Sequence, residues 1–246
     1  MKYGKIIGTG NTATIYAWDE GKVLKLFNPN YPKELAEIEF YNAKAIRHAD
    51  FAKPGVYELI SFKERMGIIY DKVEGESLEN WVLRTGELQK CAVYMAELHK
   101  SIIRNIPGNV PDYKNFLKYH VVNALKDNHP GQKEAFEILD RLQGGNTLCH
   151  GDFHPGNILI SNGHTAVIDF MNICHGNFLY DVARTVFLVE YTPVPAEAEN
   201  RDMLLHIKKT LADLYLIQMK VTREMIQDYI SVIAIARRGE CPDEQL

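Results

Sequence analysis

Residues 157–169, Asn-Ile-Leu-Ile-Ser-Asn-Gly-His-Thr-Ala-Val-Ile-Asp, limit what this chain can fold into more than any other stretch. Two short apolar runs flank Asn162-Gly163, the dipeptide that most readily supplies the positive φ angles of a type I′ hairpin turn. A two-residue turn there sets a register in which Asn157 lies opposite Ile168, one residue from Asp169. Opposed residues on paired strands sit about 5 Å apart, so the Asn157 amide oxygen and the Asp169 carboxylate can meet at one point. Two hard oxygen donors converging at a strand end suit Mg²⁺, which takes its remaining ligands from phosphates and water.

The hairpin is entered through His150-Gly-Asp-Phe-His-Pro-Gly-Asn157. Asp152 stands five residues before Asn157 on the approach loop, free to face a substrate hydroxyl as base or orienting group. Two other readings compete. Cys149, His150, His154, Cys174 and His175 are zinc-type ligands, but Gly151, Pro155 and Gly156 oppose the helix on which a His-x-x-x-His pair would chelate. Alternatively, Asp152 and Asn157 are turn residues only.

The rest of the chain falls into two regimes. Up to about residue 73 it reads as strands around one helix: Lys5–Ile7, Thr14–Trp18, Lys22–Phe27, Val56–Phe62 and Met66–Tyr70, with a helix from Pro32 to about His48. After Gly75 helices dominate, expected at Ser77–Arg84, Glu87–Ile103, Asp112–Asp127, Lys133–Leu142, Leu179–Val189, Glu197–Met219 and Arg223–Ala236, with Ser77 and Asp112 as N-caps. The strand-like stretch Thr147–Asp169 interrupts them. The fold class expected is therefore α+β and bilobal: a small β-rich N-lobe with one main helix (1–73) and a larger, mostly helical C-lobe (74–246).

Two charges are out of place in the first part. Val23-Leu-Lys-Leu-Phe27 puts Lys25 inside an apolar strand, where a buried ammonium needs a partner. On the next helix Leu35, Ile38, Asn42 and Ile46 form one stripe at 100° per residue, and Glu39 falls within it. Each of these charges is most simply explained by the other. Upstream, Ile7-Gly-Thr-Gly-Asn-Thr-Ala-Thr-Ile-Tyr16 lies between two strands, and Gly8 and Gly10 let backbone N–H groups approach phosphate oxygens. Alone, that G-x-G is better explained by an ordinary hairpin.

Composition excludes several classes. A net charge of −4 does not suggest a nucleic-acid surface. No apolar run reaches the roughly 18 residues of a membrane span. The start, Met1-Lys-Tyr-Gly-Lys-Ile-Ile, has no secretory h-region, and four scattered cysteines are expected as reduced thiols, so the cytoplasm is the expected compartment. Charge is uneven: residues 1–73 carry 11 Lys/Arg against 9 Asp/Glu, whereas residues 74–246 carry 17 against 23. Solvated surface explains that, and so does a cationic ligand on the second part.

Taken in order, the Gly loop, strand lysine, helix glutamate, H-G-D-x-H-x-x-N motif and later Val-Ile-Asp resemble the aminoglycoside phosphotransferase and choline kinase group within the protein-kinase-like fold. The resemblance runs from Gly8 to Asp181 and includes Tyr180-Asp-Val-Ala-Arg184. It implies an ATP- and Mg²⁺-dependent transfer of the γ-phosphate to a hydroxyl of a small, amine-bearing molecule. Asp152 would be the catalytic base, Asn157 and Asp169 the metal ligands, and Lys25, paired with Glu39, the holder of the α- and β-phosphates. Tyr70-Asp-Lys-Val73 would be the hinge, with the Asp71 carbonyl and Val73 amide on adenine. Asp181 is expected to be structural, satisfying N–H groups at its own helix start. Glu190, Asp213, Glu224 and Asp228 on the late helices are either lining for a cationic acceptor or solvated faces.

Departures refine the subclass. Gly151 stands where a protein kinase carries Arg, and eleven residues from Asp169 to Asp181 leave no room for an activation segment. Ala13 replaces the third glycine of the phosphate loop. A catalytically silent nucleotide-binding protein of the same fold is the alternative, though such proteins normally lack one of Lys25, Asp152, Asn157 and Asp169. Neither the acceptor nor the oligomeric state is legible.

Overall fold

Lys22–Phe27 is apolar on both faces, as a strand buried from two sides should be. In the computed structural model, which describes residues 4–125, 130–242 and 244, it is the central strand of a five-stranded antiparallel sheet. Strands β1 (Ile6–Thr9), β2 (Ala13–Ala17), β3 (Lys22–Phe27), β4 (Val56–Phe62) and β5 (Arg65–Asp71) lie in the order β1-β2-β3-β5-β4. The strand period of two sorts β3 between two cores. Leu24 and Leu26 join Ile69 in a small cluster on one side, while Val23 and Phe27 face the main core on the other. Lys25 necessarily points the same way as Val23 and Phe27.

Helix α1 (Lys33–Ala45) crosses that second face. Its buried residues are Ala36, Glu39, Phe40, Asn42 and Ala43, with Ile46 just beyond its end. The expected stripe is therefore corrected: Leu35 and Ile38 are exposed, at 38% and 45%, and the buried face is rotated toward Ala36 and Ala43. The two alanines carry no bulk, so they let the helix approach the sheet closely. The buried face is the one that brings Glu39 to Lys25.

The hairpin forms with the register its turn dictates. Strand β8 (Ile158–Ser161) pairs with β9 (His164–Val167) through Ile158 opposite Val167 and Ser161 opposite His164. Asn162 and Gly163 have φ of +50° and +80°, both positive as a type I′ turn requires. A two-residue strand β6 (Glu76–Ser77), with no sequence signal of its own, adds to the other edge of β8.

The remainder is helical: α2 (Leu78–Thr85), α3 (Leu88–Ile103), α4 (Tyr113–Ala124), α5 (Pro130–Arg141), α6 (Phe178–Val186), α7 (Arg201–Met219) and α8 (Arg223–Glu240). Ser77 and Asp112 cap α2 and α4 through their side chains. Lys126 and Asp127, expected at the end of α4, lie outside the described residues. Helix α6 is shorter than expected and passes into a π-helical turn, Phe187–Tyr191. Strands β7 (Thr147–Cys149) and β10 (Cys174–Gly176) pair and bracket the segment that contains the hairpin. Among the described residues no helix is long and apolar enough to cross a membrane.

Gly75 joins the sheet to this remainder. Its φ is +137°, and a Cβ there would come within 2.4 Å of the Ile160 carbonyl oxygen on β8. Gly75→Ala is therefore expected to lower unfolding free energy by about 1–3 kcal/mol, the usual cost of a forced backbone conformation. Urea denaturation of the two proteins checks this, and equal midpoints would show that the connection gives way freely.

Candidate active site

The approach loop and the hairpin meet at Asn157. Pro155–Asn157 forms a single 3₁₀ turn, capped by His154, whose Nδ1 accepts from the Gly156 amide at 3.2 Å. The turn brings the Asn157 side chain back over the loop, where Nδ2 donates to the Asp152 carboxylate at 2.9 Å and to its carbonyl at 3.0 Å. The Asn157 carbonyl accepts from the Ile168 amide at 2.9 Å, so Asp169 follows directly beside it. Asp169 has φ of +69°, a conformation uncommon for residues other than glycine and concentrated at functional sites.

Lys25, Glu39 and Asp169 form one charged cluster. The Lys25 ammonium donates to both Glu39 oxygens at 2.7 and 2.8 Å, and lies 3.2 Å from an Asp169 oxygen. Tyr70 donates a further hydrogen bond to Glu39 at 3.1 Å. Burial disfavours the Lys25 ammonium, yet the charges of Glu39 and Asp169 outweigh it and hold its pKa above the usual lysine range. Glu39 is pushed above the usual carboxylate range by burial, with Lys25 opposing the shift and Asp169 adding to it. Burial also raises the Asp169 carboxyl, but Lys25 more than reverses this, helped by His150 and the Met171 amide, and leaves it below its ordinary value. A single ammonium thus serves two carboxylates, leaving one negative charge in excess. Helix α1 reaches the same strand end a second time: Asn42 Nδ2 donates to the carbonyls of Phe170 at 3.1 Å and Met171 at 2.8 Å.

That excess charge is how the site fits a cation. Among the described residues no three or more His, Cys, Asp or Glu side chains group as a metal cage, which leaves the zinc reading without a ligand set. Asn157 and Asp169 could offer two oxygens to Mg²⁺, which takes its remaining ligands from phosphate and water.

Two residues of α6 hold the loop from behind. Asp181 accepts from the His150 amide at 2.7 Å, the Gly151 amide at 2.8 Å and His99 Nε2 at 2.8 Å. Its carboxyl is raised by burial but brought below its ordinary value by His99 and by these bonds. Asp181 is thus structural, but not for its own helix: Asn177 caps α6, accepting from Leu179 at 2.9 Å, and Asp181 serves the approach loop instead. One turn on, the buried Arg184 donates from Nε to the Gly151 carbonyl and from Nη2 to Glu240 at 2.6 Å. Gly151 has φ of +74°, and a Cβ would lie 2.1 Å from the Asn172 carbonyl oxygen. No arginine could stand there, which explains the departure from the protein-kinase sequence. His150 packs edge-on to Phe170 at 5.9 Å and accepts from the Asp152 amide at 3.2 Å, and burial holds its imidazole pKa below the usual value.

The remaining expected residues lie in the sheet, in its β1–β2 turn and just beyond the end of β5. Gly8 pairs with Ile15, and Gly10 donates to the Ala13 carbonyl at 2.9 Å across the turn into β2. A Cβ at either glycine would meet only ordinary contacts of 3.7 Å. Asn28 ties this loop to β3 through the carbonyls of Asn11, at 2.7 Å, and Thr12, at 2.8 Å. Ala13 is buried in the main core, so its methyl fills space that glycine would leave empty. At the end of β5 the Asp71 side chain accepts from the Gly55 amide at 2.9 Å and from Tyr57 at 2.6 Å, with half-buried Val73 two residues beyond.

The acidic residues expected around an acceptor divide. Arg223 pairs with Glu190 at 2.6 Å and with Asp213 at 2.7 Å, and Lys209 also reaches Asp213 at 3.0 Å. Those two carboxylates are neutralised within the chain, while Glu224 and Asp228 are exposed on α8. Sequence reasoning missed Asn42, Arg184 and His99 as parts of the site. A polar residue inside an apolar stripe was the available signal for Asn42. Arg184 was signalled by its place in Tyr180-Asp-Val-Ala-Arg184, whereas His99 gave no signal beyond being polar within an apolar helix.

A family model described as the phosphotransferase enzyme family, APH, matches residues 4–207. Methylthioribose kinase of Bacillus cereus (strain B4264) is 32% identical over 100 residues, which are 40% of this chain and 25% of that protein. The chain therefore matches only a quarter of the length of this curated relative. Among solved structures, amicoumacin kinase hAmiN, in complex with AMP-PNP, Ca²⁺ and Ami, superposes with a TM-score of 0.60 at 13% identity, covering 96% of this chain and 79% of that one. Aminoglycoside phosphotransferase APH(3'')-Id from Streptomyces rimosus, in complex with ADP and streptomycin, gives 0.60 at 13% identity over 91% and 90%. An aminoglycoside-3'-phosphotransferase of type VIII gives 0.62 at 14% identity over 94% and 91%. At such identities the likeness speaks for the fold, a kinase-like one with a β-sheet first part and a helical remainder. The family match, spanning most of the sequence, carries the rest: this chain belongs to the phosphotransferase enzyme family, APH.

Proposed function

We propose that this protein transfers the γ-phosphate of ATP to a hydroxyl of a small molecule, binding the nucleotide between an N-lobe of residues 1–73 and a C-lobe of residues 74–246. The observation that carries the reading is the Lys25 ammonium held between Glu39 and Asp169 at the strand end where Asn157 also stands. Lys25 is oriented by Glu39 and shared with Asp169, so it is placed to take up phosphate oxygens without losing its buried partner. Neither Gly8 nor Gly10 is required by the chain's own packing, so the room beside them suits an approaching phosphate. Asp71 and Val73 would offer the carbonyl and amide that hold adenine, the Asp71 side chain being committed to Gly55 and Tyr57.

Asn157 and Asp169 would hold Mg²⁺, which when bound neutralises charge on the transferring phosphate. Asp152 does the proton chemistry. Its carboxylate is oriented by Asn157, and its backbone by His150, so it can align an acceptor hydroxyl and take the proton as the oxygen attacks phosphorus. A silent nucleotide-binding protein is disfavoured because Lys25, Asp152, Asn157 and Asp169 are all present.

For the acceptor we favour an amine-bearing alcohol, in keeping with the acidic balance of residues 74–246 and the streptomycin complex of a structural neighbour. With Glu190 and Asp213 paired to Arg223, carboxylates other than these two would have to meet the amine. The 32% identity to a methylthioribose kinase supports a second reading, a sugar acceptor without an amine.

Three measurements test the proposal. Asp152→Asn should lower kcat by about 10²-fold or more, the usual worth of a positioned base, while ADP affinity by calorimetry stays close to the parent's. Substantial turnover in that variant would remove Asp152 from the role. Lys25→Ala should raise KM for ATP and lower kcat, and should also lower Tm because Glu39 is left buried without its counter-charge; an unchanged KM and kcat for ATP would count against the assignment of Lys25. Finally, ADP release screened against aminoglycosides, amino alcohols and neutral sugars should be strongest with amine-bearing acceptors. Turnover confined to neutral sugars would overturn the first acceptor class and support the second.

A further inference from the structure

We infer that Arg184 and Glu240 are positioning residues for the proposed phosphoryl transfer, holding the peptide that precedes Asp152 from the C-terminal helix; the inference rests on the function proposed above. Arg184 is fully buried, with its guanidinium 4.9 Å from the centre of the Phe116 ring. One edge of the guanidinium holds the Gly151 carbonyl and the other holds Glu240, the last residue of α8, at 2.6 Å. Glu240 in turn lies 3.2 Å from Arg237.

A buried ion pair is generally no more stable than apolar side chains of the same volume, and here Arg184 Nη1 has no hydrogen-bond partner among the described residues. Packing alone would favour a methionine or leucine at this place among Phe116, α4 and α8. What an apolar residue could not do is bond the Gly151 carbonyl.

That carbonyl matters because Gly151 is the residue immediately before Asp152. Its amide goes to Asp181 and its carbonyl to Arg184, residues three apart on α6 and therefore on one helix face. Its positive φ and the nearby Asn172 carbonyl leave the peptide little freedom in other directions. The loop is thus gripped at both polar groups of one residue by opposite charges from a single helix. Asp181 is steadied by His99, and Arg184 by Glu240. The orientation of the Asp152 carboxylate is in this way referred to α8, remote in sequence and otherwise a packing helix.

The test replaces Arg184 in the full chain and reads turnover, stability and loop protection together. Arg184→Met should lower kcat for ADP release by about tenfold or more, as a small misplacement of a catalytic group does, with KM for ATP within about twofold of the parent. Its Tm should fall, because Glu240 keeps only Arg237 and the Gly151 carbonyl loses its partner, and hydrogen exchange at the amides of residues 150–152 should be faster. A purely structural residue would lower Tm as well but leave kcat of the folded fraction and exchange at residues 150–152 at the parent's values. Arg184→Lys keeps the charge but not the two-edged contact and should recover turnover only in part; full recovery would overturn the geometric role. Should Arg184→Met fail to fold, Glu240→Gln, which retains an oxygen acceptor for Nη2, gives the same readouts with smaller changes of the same sign. A folded variant with parental kcat and parental exchange at residues 150–152 sinks the inference. If instead the parent releases no ADP with any acceptor, or Asp152→Asn stays active, the proposed function fails while loop exchange still decides whether Arg184 holds the loop.

Discussion

The arrangement depends on one buried ammonium. Lys25 lies on a strand whose neighbours are apolar on both faces, and a charge in that position is tolerable only with partners already in place. Glu39 supplies two oxygens from α1, and Asp169 a third from beyond the hairpin. Three segments far apart in sequence therefore converge because none can bury its charge alone. The cluster carries one more carboxyl group than ammonium, the balance on which the proposed binding of a divalent cation rests. Stability and proposed function make the same demand here, since each needs the lysine held at the junction of sheet, helix and hairpin.

The opposite side of the site is built on a different principle. The approach loop is anchored by Phe153, buried in the main core against His99, and the path of its backbone is set by polar contacts. Asp181 takes the His150 and Gly151 amides and Arg184 the Gly151 carbonyl that follows them, so the loop is shaped by hydrogen bonds from charged groups with no water to compete. The same dependence explains Gly151: an L side chain would strike the Asn172 carbonyl, and the sharp turn that exposes Asp152 would be lost. Asn157 closes the arrangement by joining Asp152 to the strand that leads away from it.

Much of this was legible in the residues. The Asn162-Gly163 turn announced the hairpin and its register, because a two-residue type I′ turn admits a single pairing. Lys25 and Glu39 were visible as charges in apolar settings, and each implied the other. The error on α1 came from weighing Leu35 and Ile38 by hydrophobicity, whereas the buried face carries Ala36, Glu39, Phe40, Asn42 and Ala43. Asp181 was read as serving its nearest free N–H groups, whereas Asn177 already filled that position and left the carboxylate for the loop. The late acidic residues looked available until Arg223 was found between two of them.

The sequence by itself determined the features settled within a few residues: the hairpin register, the strand and helix periods, the caps at Ser77 and Asp112, and the presence of every group the proposed chemistry needs. Turn chemistry and side-chain period act locally, so they survive without knowledge of the fold. Only the tertiary structure decided which face of α1 is buried, that Asn42 reaches the carbonyls beyond Asp169, that Asp181 and Arg184 grip Gly151, and that Glu240 stands behind them. Those contacts join residues from 30 to 129 positions apart. Their partners are chosen by the packing of whole helices against the sheet and against one another, and no local pattern in the chain encodes that choice.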